Sequence, residues 1–266
     1  MLRRALEVPG VAAIELNLAC PNIPGKPVIA YDFEQMDEVL RQMTAHPDIQ
    51  SGVRVLGVKL APYFDRPHVE RAVSIILQYP VRYIVSINTI GNALFVDTDT
   101  ECASIAPKGG FGGLGGGYVK NTALANVRML ATILQDQGRG DVDIVGVGGV
   151  ASGADAFELI LCGAKAVQVG TCHWNEGAGC FGRIAAELEA IMRKKGYLSI
   201  EDFRGKLKPY ERHSSKIPVK GKGVAPKAAP SGGPSPLMGA LVAILCALVA
   251  VVVCLLAEKH GLMKMT

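Results

Sequence analysis

The stretch Ile14 to Pro27, IELNLACPNIPGKP, sets a cysteine between two asparagines where a short apolar run ends. A thiol with an ordinary pKa of about 8.5 is only a few per cent thiolate at neutral pH, which suffices for general-base work once it is positioned. Cys20 is therefore a candidate base, with Asn17 and Asn22 as carboxamides to hold a polar substrate beside it. A structural cysteine in a loop stiffened by Pro21 and Pro24 is the plainer reading of the same residues. Lys59 lies inside the apolar run VLGVKLA, and a buried ammonium is costly unless paired. It should meet a phosphate, a carboxylate or an electron-rich ring, unless it snorkels from the strand end. Asn88 and Thr89, in INTIGN, are placed to donate to a planar ligand or to cap a turn. His173 and Trp174 read as loop residues.

Glycine marks the other candidate contacts. In GVGGVASGADAFELI, Gly148 and Gly149 permit close backbone approach, and Ser152 is a good N-cap for a helix whose first N–H groups suit a phosphate. Gly170 and Thr171, in VQVGT, offer a second N–H cluster with a hydroxyl. A phosphate held after the last two strands of a parallel barrel is a recurrent arrangement. KGGFGGLGGGYVK, Lys108 to Lys120, reads as a loop lying flat against a ligand, with Gly115 and Gly116 nearest to it. A ligand-free mobile loop is the alternative there.

The elements that must position these residues alternate. Five short apolar segments, rich in β-branched residues, read as buried parallel strands: 13–18, 55–60, 83–87, 143–147 and 166–169. Helical patterns separate them at 32–43, 67–77, 122–134, 152–162 and 180–195, and LSIEDFRG reads as a last short helix. Such a right-handed βα series puts every functional loop at the C-terminal ends of the strands. Five strands do not close a parallel barrel of eight. The chain is thus either an open sheet or the last five βα units of a barrel, and the chemistry favours the barrel.

The hydrophobic share of 49% is high, and the excess gathers at one end. Leu237 to Ala257 carries no charge over 21 residues, about 30 Å of helix, the thickness of a bilayer core. Residues 1–211 are therefore expected to form a partial barrel, 212–236 a flexible basic linker, 237–257 a transmembrane helix and 258–266 a short tail. Lys216, Lys220, Lys222 and Lys227 precede the span, as suits a tail anchor with its catalytic part in the cytosol and a contact with anionic lipid rather than nucleic acid. Seven cysteines without close pairs suggest reduced thiols, with neither a disulfide frame nor a metal site.

Together, ELNLACPNIPGKP, GVKL, NTIGN, GFGGLGGGYVKNTALANV, GVGGVASGADAFELILCGAKAVQVGT and EGAGCFGRIAAELEAIMRKKGY resemble dihydroorotate dehydrogenase. The nearest type is the fumarate-linked class 1A form of trypanosomatids and some bacteria, and the likeness runs from about Gly10 to Glu211. The resemblance implies a (β/α)8 TIM barrel that binds FMN and oxidises dihydroorotate to orotate, with fumarate reduced to succinate, in pyrimidine biosynthesis. Cys20 then matches the base that takes a proton from C5 of dihydroorotate, and Asn17, Asn22 and Asn88 match the substrate-binding carboxamides. Thr89 keeps the hydroxyl of the usual serine. Lys59, Gly115, Gly116, Gly148, Gly149, Gly170 and Thr171 match flavin and phosphate contacts.

The sequence also departs from the family. Members of this eight-stranded family carry roughly 110 further residues before the equivalent of Gly10, holding three strands, and are expected to be cytoplasmic homodimers. The tail after Arg212 has no counterpart in class 1A. On its own the open barrel is expected to lack part of the flavin cradle, which leaves an inactive membrane-tethered binding partner as the competing reading. Dihydropyrimidine dehydrogenase shares the NLxCP loop, but its iron–sulfur cysteine clusters are missing here.

Overall fold

The computed structural model describes residues 2–20 and 27–210. Along the chain run helix α1 (Leu2–Leu6), strand β1 (Ala13–Asn17), α2 (Phe33–Thr44), α3 (Pro47–Gln50), β2 (Val55–Leu60), α4 (Arg66–Ile76) and β3 (Val81–Ser86). Four short strands follow: β4 (Ile90–Leu94), β5 (Val96–Asp97), β6 (Cys102–Ala103) and β7 (Phe111–Leu114). The alternation resumes with α5 (Lys120–Asp136), β8 (Asp143–Val147), α6 (Gly153–Cys162), β9 (Ala166–Gln168), α7 (Thr171–Glu176) and α8 (Gly179–Lys195).

The five expected strands form one parallel sheet in the order β1-β2-β3-β8-β9. Three of their helices, α2, α4 and α6, begin where a side chain satisfies a first-turn N–H group. Asp32 accepts from the Gln35 amide, Asp65 from that of His68 and Ser152 from that of Asp155. Between sheet and helices lies the apolar core. Leu56, Val58, Leu60 and Ile84 on the strands meet Met36, Leu40, Val73, Val127, Leu130 and Leu159 on the helices, all at most 2% exposed. Each such side chain contributes about 1.5–3 kcal/mol by leaving water.

The strands are not apolar throughout, as the sequence suggested. Exposure alternates along β1, where Ile14 and Leu16 turn toward the core while Ala13, Glu15 and Asn17 are exposed. The reason is the two-residue period of a strand, with one face on the helices and the other on a concave surface that polar side chains occupy. Gly57 shares that surface with Lys59, and a Cβ on it would lie 2.1 Å from the Tyr83 ring, so only glycine lets the ring cross there.

A second difference concerns the glycine-rich stretch expected to be a loop. Phe111–Leu114 is strand β7, paired antiparallel with β4, because its backbone groups find partners in Ile90–Leu94. After Leu114, Gly115 alone intervenes before a 3-10 turn, Gly116–Val119, that runs into α5. LSIEDFRG yields a single 3-10 turn, Ile200–Asp202, whose following Phe203 is fully buried and stacks on Phe157 and Tyr197 at 4.5 and 5.1 Å. Among the described residues no helix is long and apolar enough to cross a membrane. The expected linker 212–236, span 237–257 and tail 258–266 lie outside the described residues.

Candidate active site

A cavity of about 340 Å³ opens at the C-terminal ends of the sheet strands. That volume is in the range of small-molecule and cofactor sites. Of the residues singled out from sequence, Lys59, Asn88, Thr89, Gly115, Gly116, Gly148, Gly149, Gly170 and Thr171 all line it. They come from β2, the turn after β3, the loop after β7 and the ends of β8 and β9, so residues more than 100 positions apart share one wall.

The turn after β8 depends on its glycines. Gly148 and Gly149 have φ of 134° and 73°, and added Cβ atoms would lie 2.7 Å from Ala123 Cβ and 2.6 Å from Lys120 Cβ. The backbone thus passes close to α5 with its own atoms facing the cavity. Opposite, Gly116 approaches Thr171, whose Cγ2 would be 3.3 Å from a Cβ there.

The expected phosphate grip at the start of α6 is more occupied than its sequence suggested. Ala151 N–H donates to Asp155 Oδ2 at 3.0 Å, Gly153 N–H to Glu187 Oε2 at 2.7 Å and Asp155 N–H to Ser152 Oγ at 3.2 Å. Carboxylates already complement this helix start, so an anion would be received by the neighbouring glycine turns. Burial pushes the Asp155 carboxyl up, but Lys120, Ser152 and the Ala151 N–H outweigh it and hold it below the usual range. Lys120, paired with Asp155 and with Glu158 at 2.7 Å, is raised in spite of burial. Arg183 braces the back wall, donating to Glu176 Oε2 at 2.6 Å, Glu187 Oε1 at 2.8 Å and the Ala151 carbonyl at 3.1 Å. Its guanidinium holds Glu176 below its ordinary pKa, while burial and Glu176 push the Cys172 thiol up.

At the same end of the sheet Asn88 Nδ2 donates to Asn17 Oδ1, which lies outside the cavity lining, at 3.0 Å, and Oδ1 of Asn17 also accepts from the Ala19 N–H at 3.0 Å. Asn88 Oδ1 accepts from the Thr89 N–H at 2.7 Å, so this carboxamide both caps its turn and orients Asn17. Cys20 stands three residues beyond Asn17 at the same end of the sheet, half-buried and outside the residues that line the cavity. Asn22 lies outside the described residues.

Of the partners expected for Lys59 a carboxylate is near as an ion pair, while its hydrogen bond goes to an amide. Its Nζ donates to Gln168 Oε1 at 3.0 Å and stands 3.7 Å from Glu15 Oε1. Sequence reading passed over Gln168, Ile87, Cys172, Asn175 and Glu176, which also line the cavity. Gln168 carried a usable signal, an amide inside a strand otherwise built of valine and alanine.

Three comparisons bear on this geometry. A family model described as dihydroorotate dehydrogenase matches residues 2–192. Dihydroorotate dehydrogenase A (fumarate) of Lactococcus lactis subsp. lactis is 49% identical over 208 residues, 78% of this chain and 64% of the relative. Dihydroorotate dehydrogenase (fumarate) of Kluyveromyces lactis is 50% identical over 194 residues, 73% of this chain and 59% of the relative. The chain thus spans somewhat under two thirds of the length of these relatives. Among solved structures, ligand-free DHODH from Eimeria tenella superposes with a TM-score of 0.60 at 20% identity, covering 78% of this chain and 60% of that one. The complex of the Eimeria enzyme with ferulenol gives 0.57.

Proposed function

The chain belongs to the dihydroorotate dehydrogenase family, and we propose that it carries the proton-abstracting and flavin-holding part of a fumarate-linked, class 1A enzyme. The observation behind this reading is that nine residues chosen from sequence as substrate or flavin contacts line a single cavity. The donor set suits FMN: backbone turns at Gly148–Gly149 and Gly170–Thr171 for the phosphate, Lys59 for the electron-rich ring, and the side-chain-free Gly115–Gly116 turn for close approach of the ring. When bound, the flavin supplies the hydride acceptor.

In this proposal the protein's own groups do the rest. Cys20, as thiolate, takes the proton from C5 of dihydroorotate. Asn17 and Asn88, locked to each other, present a fixed edge of donors and acceptors to the pyrimidine ring, with Asn22 and Thr89 completing it. Fumarate as acceptor, a homodimeric assembly, and a tail-anchored arrangement of partial barrel 1–211, linker 212–236, span 237–257 and tail 258–266 belong to the same proposal. Its test is the native gene product, assayed for bound FMN absorbance and for dihydroorotate-dependent fumarate reduction. Cys20→Ala is expected to keep the flavin and lose about 10²–10⁴-fold in kcat. Full turnover by that variant, or a wild-type protein that never takes up flavin, would overturn the reading.

A further inference from the structure

Three polar side chains on the concave face of the sheet form a relay from one edge to the other. Lys59 on β2 donates to Gln168 Oε1 on β9 at 3.0 Å, and Gln168 Nε2 donates to Glu15 Oε2 on β1 at 2.7 Å. Strands β1 and β9 are the outermost of the five, so this amide links the two ends of the sheet through side chains alone. Lys59 and Gln168 line the cavity and Glu15 does not.

The chemistry of an amide makes the order of the relay unambiguous. Gln168 has one acceptor end and one donor end. The ammonium fixes the oxygen toward itself, and the carboxylate fixes the nitrogen. Without the amide, an ammonium and a carboxylate already 3.7 Å apart would close into a direct charge-assisted hydrogen bond. The cation would then turn toward Glu15 and away from the cavity. Gln168 satisfies the carboxylate with an N–H and draws the ammonium to its own oxygen on the cavity wall.

We propose that Gln168 is a positioning residue that holds the Lys59 charge toward the ligand in the cavity, with Glu15 as its anchor. That the ligand is FMN rests on the reading above; the relay itself does not.

The native protein and three variants test it, with two readouts. One is the FMN dissociation constant from quenching of flavin fluorescence. The other is the acylation rate of the Lys59 amine by an amine-reactive ester, followed by mass spectrometry without any flavin. In Gln168→Leu, Lys59 closes onto Glu15, so FMN binding should weaken about tenfold and Lys59 labelling should slow severalfold. Gln168→Glu sets Lys59 between two carboxylates and should weaken binding likewise. The swap Glu15→Gln with Gln168→Glu reverses the donor and acceptor ends while keeping the net charge. It should restore both values to within about threefold of wild type, which a merely space-filling role would not do. Equal labelling and equal affinity in Gln168→Leu, or failure of the swap to rescue a soluble, cooperatively melting protein, would overturn the proposal. If wild type binds no FMN but the labelling pattern holds, the relay stands and the flavin reading falls.

Discussion

Asn126 on α5 holds the segment that leaves β2, and it does so with three hydrogen bonds. Its Oδ1 accepts from the Tyr63 N–H at 2.8 Å, and its Nδ2 donates to the carbonyls of Tyr63 and Thr122 at 2.9 and 3.0 Å. The side chain is 2% exposed, so no water replaces what a substitution removes. Asn126→Ala strands both backbone groups of Tyr63 and is expected to cost about 2–3 kcal/mol, read by urea denaturation. A change under about 0.5 kcal/mol would show that the Tyr63 backbone finds other partners. Tyr63 itself donates to the Ala30 carbonyl, and burial pushes its phenol pKa up, so it remains a donor across the working range. At this scale the sequence revealed needs better than partners. Lys59, inside an apolar run, announced that it required an acceptor. Gln168, 109 positions later, stands out as an amide among valines, but nothing local says that the sheet brings it to Lys59. Cys20 was legible as a thiol between carboxamides, but no local pattern says that it stands outside the cavity lining.

The elements were the most legible level, because strand and helix periods and N-caps are local. Strands β2 and β8 run as expected over Val55–Leu60 and Asp143–Val147, and the five expected helices agree to within about two residues at each end, the usual fraying of a terminus, whereas His173 and Trp174, expected in a loop, lie in α7. The β4–β7 pairing was hidden because glycine has little strand propensity, and a ladder to a segment some twenty residues away leaves no periodic trace. Tight helix contacts were hidden for a related reason. Gly153 is where α6 touches α8: a Cβ there would lie 2.3 Å from the Leu188 amide nitrogen. The clash is with backbone and no rotamer relieves it. Gly153→Ala should therefore destabilise by about 1–3 kcal/mol. Gly182, within α8 and with nothing within 4 Å of an added Cβ, makes the opposite case. Gly182→Ala should stabilise by about 0.5–1 kcal/mol through helix propensity alone. Thermal melting by circular dichroism checks the pair. A Gly153→Ala variant that melts at or above the wild-type temperature would refute the packing account.

For the molecule as a whole, the carboxylates behind the cavity make stability depend on acid. Glu187 is held low by the Gly153 N–H and Arg183, and Glu176 by Arg183 and Cys172. Asp155, though raised by burial, is brought lower still by Lys120, Ser152 and the Ala151 N–H. A carboxylate whose folded pKa lies below its unfolded value, about 3.9 for Asp and 4.3 for Glu, contributes stability that is complete above the unfolded pKa. That contribution drains as pH falls through the folded one. The melting temperature is therefore expected to be level from neutrality to about pH 5 and to fall progressively below it. Part of the fall belongs to α6 and α8, since these groups tie the start of one helix to the face of the other. Asp155→Asn keeps the shape and removes the titration, so it should lower stability at pH 7 and flatten the acid limb relative to wild type. Glu176 and Glu187 are well exposed, and their shares should shrink in high salt, whereas the half-buried Asp155 share should persist. Parallel acid limbs for wild type and Asp155→Asn, recorded at low and at high salt, would place the acid sensitivity elsewhere in the fold.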